Sequence, residues 1–560
     1  MSRTNHQMAL LLRFGIGLML IWLVYQVAER YQFRIDMTEE KRYSISEPTR
    51  TLLNRLESDV VVEVYLAGDL PSNFVRFQKS IRELLEEFAI HSPGNFDIRF
   101  VDPAQAKSAQ ARNQFFQGLI NQGIQPTNLT YSKDGQNTQK MIFPGAVVSY
   151  QGQEQAVNLL KGNRAGGSEQ IINQSIEGLE YEFANTLQQL AGSGRKRIGL
   201  VTGHDEPDST FLGGLTNLIL TKYDLFRVNL PEKSTPIVGY DLLLITKPSQ
   251  EFTDQEKFLL DQYVMKGGRL AFFMDVLSIN IDSALSSSSV AIPVKTNLED
   301  LLFKYGVRIN QNYVADLNAG TLPVITGNIG DQPQITMLDW PYFPVITNYG
   351  SHPIVRNMDA VMLKMVSSID TVKAEGISKY PLFSSSANTK IVGYPVEVSL
   401  NDLRGTLSPD RFQAGPQVLA YLLEGSFTSL YHNRFAPPGY RKTDKIDHGA
   451  PSKIVVVADG NLITNELSPE TGQPLPLGSE PYSQNNFGNS ALVMNIIDYL
   501  VDEDGLIETR SKEVKIRPLN KVKVRSERVK WQMINLVLPI ALLVLFGVVK
   551  IYLRKRSNNY

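Results

Sequence analysis

The sequence predicts an α/β protein in which a small α/β domain and a larger, doubly wound α/β domain are held between two membrane-spanning helices, one at each end. Three observations predict it. Apolar stretches run from about Met8 to Ala28 and from about Gln532 to Leu553, and each has the roughly 20 apolar residues that a helix needs to cross a bilayer. Between them, short β-type runs alternate with segments of helical periodicity, the pattern of strands joined by crossing helices. The composition is that of a folded body: 42% of the 560 residues are hydrophobic and 20% charged, enough for real cores and too polar for a many-span permease.

A signal peptide would account for the first stretch, but Arg13 lies inside it and Gln26-Val27-Ala28 is a poor cleavage site. A buried core helix would account for the second, but Trp531 suits a membrane interface and Arg554, Lys555 and Arg556 follow closely. Arg13, Asn535 and Pro539 interrupt the two stretches. Such residues are best tolerated against a partner helix, so these three are the candidate contacts with a neighbouring membrane helix. Two spans place both termini on one side of the membrane. Basic residues do not choose the side, because Lys521, Lys523, Arg525, Arg528 and Lys530 precede the second span while Lys550, Arg554, Lys555 and Arg556 end or follow it.

Lys and Arg total 56 against 57 Asp and Glu, a balance that gives no global electrostatic footprint for nucleic acid. The basic run Lys512–Lys530 is the local exception. It reads as a charged linker or solvated face in preference to a lipid-headgroup site. With no cysteine there is no disulfide, thiol nucleophile or thiolate metal site, which fits an oxidising exterior compartment.

In chain order, Ser46 is a candidate N-cap with Pro48 in the first turn of a helix over Thr49–Leu56. Val60, Val62, Val64 and Leu66 alternate as one face of a strand, and Phe74, Phe77, Ile81, Leu84, Leu85 and Phe88 recur at helical spacing. Phe96–Val101 completes a βαβ unit, and Met141–Tyr150 and Gln155–Leu160 add strands to what reads as a thioredoxin-like domain. Redox chemistry of that kind needs cysteines and is excluded. A connector, Gly162–Ser168, leads into an amphipathic helix over Glu169–Leu190. The larger domain opens with the strand before Gly203-His204-Asp205-Glu206, then a helix near Phe211–Lys222 and a strand over Leu225–Leu230. Tyr240–Ile245 is a buried, parallel-type strand; Thr253 caps a helix to Met265; Leu270–Met274 is a strand ending at Asp275. Val418–Leu423 and Lys453–Ala458 are later strands, and Asn489–Val501 a closing helix. Gly320–Lys390, rich in Pro, Thr and aromatics, reads as short strands with long loops.

The predicted divisions are a tail and first span over 1–28, the small domain over 29–165, the connecting helix over 166–194 and the large domain over 195–510. A basic linker over 511–531, a second span over 532–553 and a basic tail over 554–560 complete the chain.

An ordered set of segments carries a family resemblance. They are Arg42-Tyr43-Ser44-Ile45-Ser46, Gly203-His204-Asp205-Glu206, Asp241–Ile245, Gly267-Gly268-Arg269-Leu270, Leu423–Phe427, Asp459-Gly460-Asn461 and Asn489–Leu500. In this order, inside the two-anchor frame, the whole chain resembles the GldG family, the auxiliary subunit of the gliding-motility ABC transporter of Bacteroidetes. The resemblance implies a periplasmic body on an inner-membrane protein, partnered with a multispan permease, a cytoplasmic ATPase and cell-envelope components. It also implies that the large domain has a glutamine-amidotransferase-like fold used without its chemistry.

The residues agree with a non-catalytic role. No G-x-x-x-x-G-K-[ST] loop is present for ATP. Amidotransferase chemistry needs a cysteine, and no G-x-S-x-G elbow offers a serine in its place. The six histidines are not paired at metal-ligand spacing, so neither a metal nor a cofactor is expected. Gly203, His204, Asp205, Glu206, Asp275 and Asn461 all follow strand ends, where open α/β sheets bind ligands, and form the candidate ligand or partner crevice. Polar loops at strand ends are the plainer reading. The rival functions are a periplasmic module binding a small ligand or glycan, and a membrane-bound hydrolase of unrecognised type.

Overall fold

The computed structural model describes residues 13–20, 22–23, 25–26, 44–105, 108–133, 136–161, 168–192, 195–286, 288–329, 332–399, 408–441, 445–481, 486–511 and 521–557. Two compact units, Met1–Lys512 and Glu513–Tyr560, divide the chain. Residues 162–167 of the expected connector, 512–520 of the basic run, Arg42-Tyr43 and much of the first apolar stretch lie outside the described residues.

The first lobe starts with helix α1 (Glu47–Asn54), where Ser46 accepts the Thr49 N–H and Pro48 sits in the first turn, as read from the sequence. Strands β1 (Val60–Val64) and β2 (Phe96–Phe100) run parallel across helix α2 (Ser72–His91). Helix α3 (Ala109–Asn121) follows, then an outlying hairpin of β3 (Thr127–Lys133) and β4 (Gln136–Ile142). Strands β5 (Gly145–Tyr150) and β6 (Gln153–Asn158) complete a sheet of order β2-β1-β5-β6, with β5 antiparallel to both neighbours. The expected single strand over Met141–Tyr150 is thus the end of β4 and the whole of β5, broken at Phe143-Pro144. Val60, Val62 and Val64 are fully buried against Phe77, Ile81 and Phe88 of α2, so alternation in the strand and helical spacing in α2 address one core.

Helix α4 (Ser168–Ala191) belongs to both lobes. Leu179, Phe183 and Leu187 enter the first core, while Tyr181 enters the second. The second lobe is an eight-stranded sheet flanked by helices. It comprises β7 (Arg197–Thr202), β8 (Asp224–Asn229), β9 (Leu242–Thr246) and β10 (Arg269–Phe273), all parallel. Strand β11 (Ala319–Ile329) pairs with β12 (Gln332–Ile346) in a separate hairpin. The large sheet is continued by β13 (Ile377–Ser384), β14 (Val418–Thr428) and β15 (His448–Val457), in the order Asn348–Tyr349, β13, β14, β15, β10, β9, β7, β8. Strand β15 is parallel to β10 and β14 antiparallel to β15.

Successive residues of β9 serve opposite faces. Leu242 and Leu244 enter a core roofed by helices α5 (Gly213–Leu220) and α8 (Asn489–Val501). Leu243 and Ile245 enter a core roofed by α6 (Asp254–Met265) and α7 (Glu299–Tyr305). A strand buried on both faces reads as a continuous apolar run, which is why Asp241–Ile245 was legible. Thr253 and Glu256 form a reciprocal capping box at the start of α6. The segment expected to hold only short strands instead contains β11 and β12, of 11 and 15 residues, around a separate core with Trp340 fully buried.

After α8 the chain turns through Leu506–Ser511, and Leu506 is buried in the core of the first lobe. This turn packs against α1 and α4, and Arg55 pairs with Asp504 at 3.6 Å.

The second unit holds helix α9 (Lys521–Ser557), 37 residues long with Pro539 inside it. The basic residues Lys523–Lys530 are therefore helical and continuous with the apolar stretch. Lys523–Leu553 is, among the described residues, the one helix long and apolar enough to cross a membrane. The described residues of the first apolar stretch are helical and, apart from the half-buried Gly17, exposed.

Candidate functional site

The order β8-β7-β9-β10 reverses its winding between β7 and β9, so the crevice outside the carboxyl ends of these two strands is the switch point at which such sheets take ligands. Gly203–Glu206 follows β7, and Lys247–Gln250 follows β9. Gly203 has φ 118°, and a Cβ there would lie 2.4 Å from Pro231 Cδ, so only glycine fits this turn. Asp205 and Lys247 both have left-handed backbones, φ 57° and 51°. Non-glycine residues hold that conformation only where surrounding contacts fix it. Here Ser249 donates from Oγ to Asp205 Oδ2 at 2.7 Å, and Lys247 N–H donates to the Phe273 carbonyl at 2.7 Å.

The crevice is filled by its own loops. The backbone amides of Ser249 and Gln250 both donate to the His204 carbonyl, at 2.9 and 3.1 Å. The His204 side chain is 2% exposed and stacks on Phe252 with ring centroids 3.5 Å apart. Its Nδ1 lies 3.6 Å from Glu206 Oε1 and its Nε2 3.3 Å from Glu256 Oε2. Burial disfavours the imidazolium, yet the two flanking carboxylates outweigh it and raise the His204 pKa above its ordinary value. Burial likewise works against the Glu206 carboxylate, which His204 and the amides of Gly203 and His204 nevertheless hold below the usual range. Glu206 Oε2 accepts those two amides at 3.0 Å each. The expected motif Gly203–Glu206 is thus a plug with internal partners.

Asp275 and Asn461 meet elsewhere, over the ends of β10 and β15. Lys247 Nζ bridges them, 3.2 Å from Asp275 Oδ2 and 2.5 Å from Asn461 Oδ1. Asp275 Oδ1 accepts the Gly460 N–H at 2.6 Å. Beside them Asp459 is fully buried and accepts the amides of Lys364 and Asn461, at 2.9 and 2.6 Å. Asn461 Nδ2 returns a hydrogen bond to the Lys364 carbonyl at 2.8 Å. Burial and the Asp275 charge push the Asp459 pKa up to about 7; burial also raises that of Asp275. Lys247, Asp459 and Lys364 were not among the residues expected. Position after a strand end was the only sequence signal for Lys247; Asp459 also stood in the segment Asp459-Gly460-Asn461, and Lys364 had no signal.

Of the six candidate residues, then, four form the plug and two join the Lys247 group, and the loop after β9 touches both. Among the described residues no group of three or more His, Cys, Asp or Glu is placed to hold a metal ion. Of the candidate permease contacts, Arg13, Asn535 and Pro539 all lie on exposed helix surface.

Doubly wound α/β folds host many unrelated functions, so the fold alone assigns none. The family described as ABC-type uncharacterized transport system matches residues 195–496, more than half of the chain, and the chain belongs to that family. A second family, described as a domain of unknown function (DUF7088), matches residues 39–149. Membership supports an accessory role in an ABC transport system and implies association with an ABC transporter. An uncharacterized protein of Borreliella burgdorferi is 22% identical over 569 residues, covering 98% of each chain. The solved mmIFT52 N-terminal domain aligns with 55% of this chain and 98% of its own, at 13% identity and a TM-score of 0.31.

Proposed function

We propose that this chain is a non-catalytic, membrane-anchored accessory subunit of an ABC transporter complex associated with gliding motility, coupling a multispan permease and a cytoplasmic ATPase to the periplasm. The observation that carries this reading is the plugged switch point. Where a doubly wound sheet takes its ligand, this one places His204 between Glu206 and Glu256. The absence of cysteine from the sequence removes the amidotransferase nucleophile from the same fold type. The sheet order β2-β1-β5-β6 supports a thioredoxin-like first lobe, and the order β8-β7-β9-β10 supports an amidotransferase-like second lobe.

In this reading the helix over Lys523–Leu553 and the first apolar stretch are inner-membrane anchors, the body is periplasmic, and Arg13, Asn535 and Pro539 pack against the permease. Because the chain has no cysteine, one introduced thiol reports topology without background. Val238 is 70% exposed; Val238→Cys should react with an impermeant thiol reagent in intact spheroplasts. Reaction only after lysis would place the body in the cytoplasm. Mild-detergent purification from native membranes should bring down the permease and ATPase, and the chain alone should show no ATP turnover. Recovery without either partner would defeat the accessory reading.

A small-ligand role has one supporting observation. The Lys247 side chain is 32% exposed beside Asp275, whereas that of His204 is 2% exposed, so the ammonium is within reach of a solute. A polar solute or glycan fragment that raises the melting temperature of the wild type but not of Lys247→Ala would favour that role.

A further inference from the structure

Helix α9 is continuous through 37 residues, about 55 Å at 1.5 Å per residue. Its apolar portion, from Trp531 to Leu553, accounts for about 34 Å, close to the roughly 30 Å of a hydrocarbon core. The portion ahead of Trp531 therefore stands outside that core with its helical geometry intact. Lys530, Arg528 and Arg525 lie about 1.5, 4.5 and 9 Å along the axis from Trp531. A headgroup layer is about 5–8 Å deep, so all three fall at or just beyond phosphate level. Their side chains are exposed. Glu527, the only carboxylate between Lys521 and Lys530, accepts a hydrogen bond from Trp531 Nε1 at 3.0 Å, which leans it toward the apolar end.

We infer that the first turns of α9, through Arg525, Arg528 and Lys530, form a collar that binds the phosphate headgroups of anionic phospholipids; this rests on the reading of α9 as a membrane span. Arg525 and Arg528 are three residues apart and share one side of the helix. A guanidinium takes two phosphate oxygens in a fork, and Lys530 adds a point charge at the level of the Trp531 ring. Trp531 marks the interface, as aromatic residues do at both membrane surfaces. Each cation near an anionic surface favours it about fivefold, so three together distinguish an anionic lipid from a zwitterionic one.

The test uses the full chain taken from vesicles of equal parts phosphatidylcholine and phosphatidylglycerol, with retained lipid measured by mass spectrometry after mild-detergent gel filtration. The wild type should retain phosphatidylglycerol in marked excess. R525Q/R528Q/K530Q should fall to near the bulk ratio, and R525K/R528K should lie between. Undiminished enrichment in the triple variant would overturn the collar and point to the basic tail. Loss of a co-purifying protein, with lipid retention unchanged, would overturn it in favour of a protein contact. Alkaline carbonate extraction separates this from the span itself. Wild type stripped from the vesicles would remove the membrane reading, whereas both proteins remaining in the pellet leaves the lipid ratio to decide the collar.

Discussion

Tyr181, at the middle of α4, donates its hydroxyl hydrogen to Asp498 of α8 at 2.8 Å, across 317 residues of chain. The other carboxylate oxygen takes the Tyr223 hydroxyl at 2.7 Å, and Lys222 Nζ lies 3.0 Å from Asp498 Oδ2. One buried carboxylate thus ties the helix shared by the lobes to the helix that closes the second core. Tyr181→Phe should lower stability by about 1 kcal/mol, the net worth of one hydrogen bond. Asp498→Ala should cost about 3 kcal/mol, since it strands two buried hydroxyls and an ammonium. Denaturant midpoints of the full chain in detergent check both. Burial alone would raise the Asp498 pKa, but Lys222, Tyr223 and Tyr181 hold it below the usual range. Its contribution is therefore complete above the ordinary carboxylate value near 3.8 and is lost as pH falls through the folded value.

Asp459 has the opposite sign. Its pKa rises from 3.8 to about 7 on folding, so between those values the native state holds a proton that the unfolded chain has released. Stability should fall as pH rises from about 4 to about 7. Asp459→Asn should flatten that slope, even though one amide, of Lys364 or Asn461, loses its acceptor. Thermal midpoints at half-unit pH steps measure it. A slope unchanged by the substitution would show that Asp459 is not the titrating group.

His352 works against Asp459 in the same range. Burial and the nearby Lys453 charge lower its pKa from 6.5 to about 4. Its ring packs edge-on to Tyr499, centroids 4.7 Å apart. Between pH 4 and 6.5 the unfolded chain binds the extra proton, so stability should rise with pH through that window. His352→Phe should abolish this component and expose the full downward slope due to Asp459. The double variant His352→Phe/Asp459→Asn should be the flattest of the set.

The plug gives a fourth expectation. The His204 pKa is raised on folding, so its stabilisation is complete below the unfolded value of 6.5 and declines as pH rises through the folded one. His204→Gln should cost about 1–3 kcal/mol at pH 6, with the difference from wild type shrinking as pH rises. Retention of the permease in pull-downs by this variant would agree with a structural plug; its loss would make the Gly203–Glu206 turn a contact surface.

The elements most legible in the sequence were those with a single dominant signal. β9 is apolar because both faces are covered, α8 matched Asn489–Val501 end for end, and Thr253 announced α6 by its cap. The β11–β12 hairpin was not legible. Pro323 lies within β11 opposite Met337, Pro341 and Pro344 lie in β12, and pairing slips at Ala319/Thr321 and Ile325/Gly327. Proline and bulges erase the period-two pattern by which strands are recognised. The six candidates do follow strand ends as read from the sequence, but position alone does not say whether a turn lines a crevice or fills it. Lys247 was missed because its partner Asn461 is 214 residues away, and nothing local marks a lysine after a strand as part of a network.

The pairing of Arg55 with Asp504, and the burial of Leu506 in the first core, bear on how the body would carry load. The chain comes into the body through α1 and leaves it through the turn Leu506–Ser511, and these two segments pack on each other and on α4. Both ends therefore spring from one root. A pull on the two ends together is borne by that root and passes to the body as a tilt; a pull that separates them peels the turn from α4 before it strains any strand. Force entering at either end therefore meets the contacts among α1, α4 and this turn before it can reach the eight-stranded sheet.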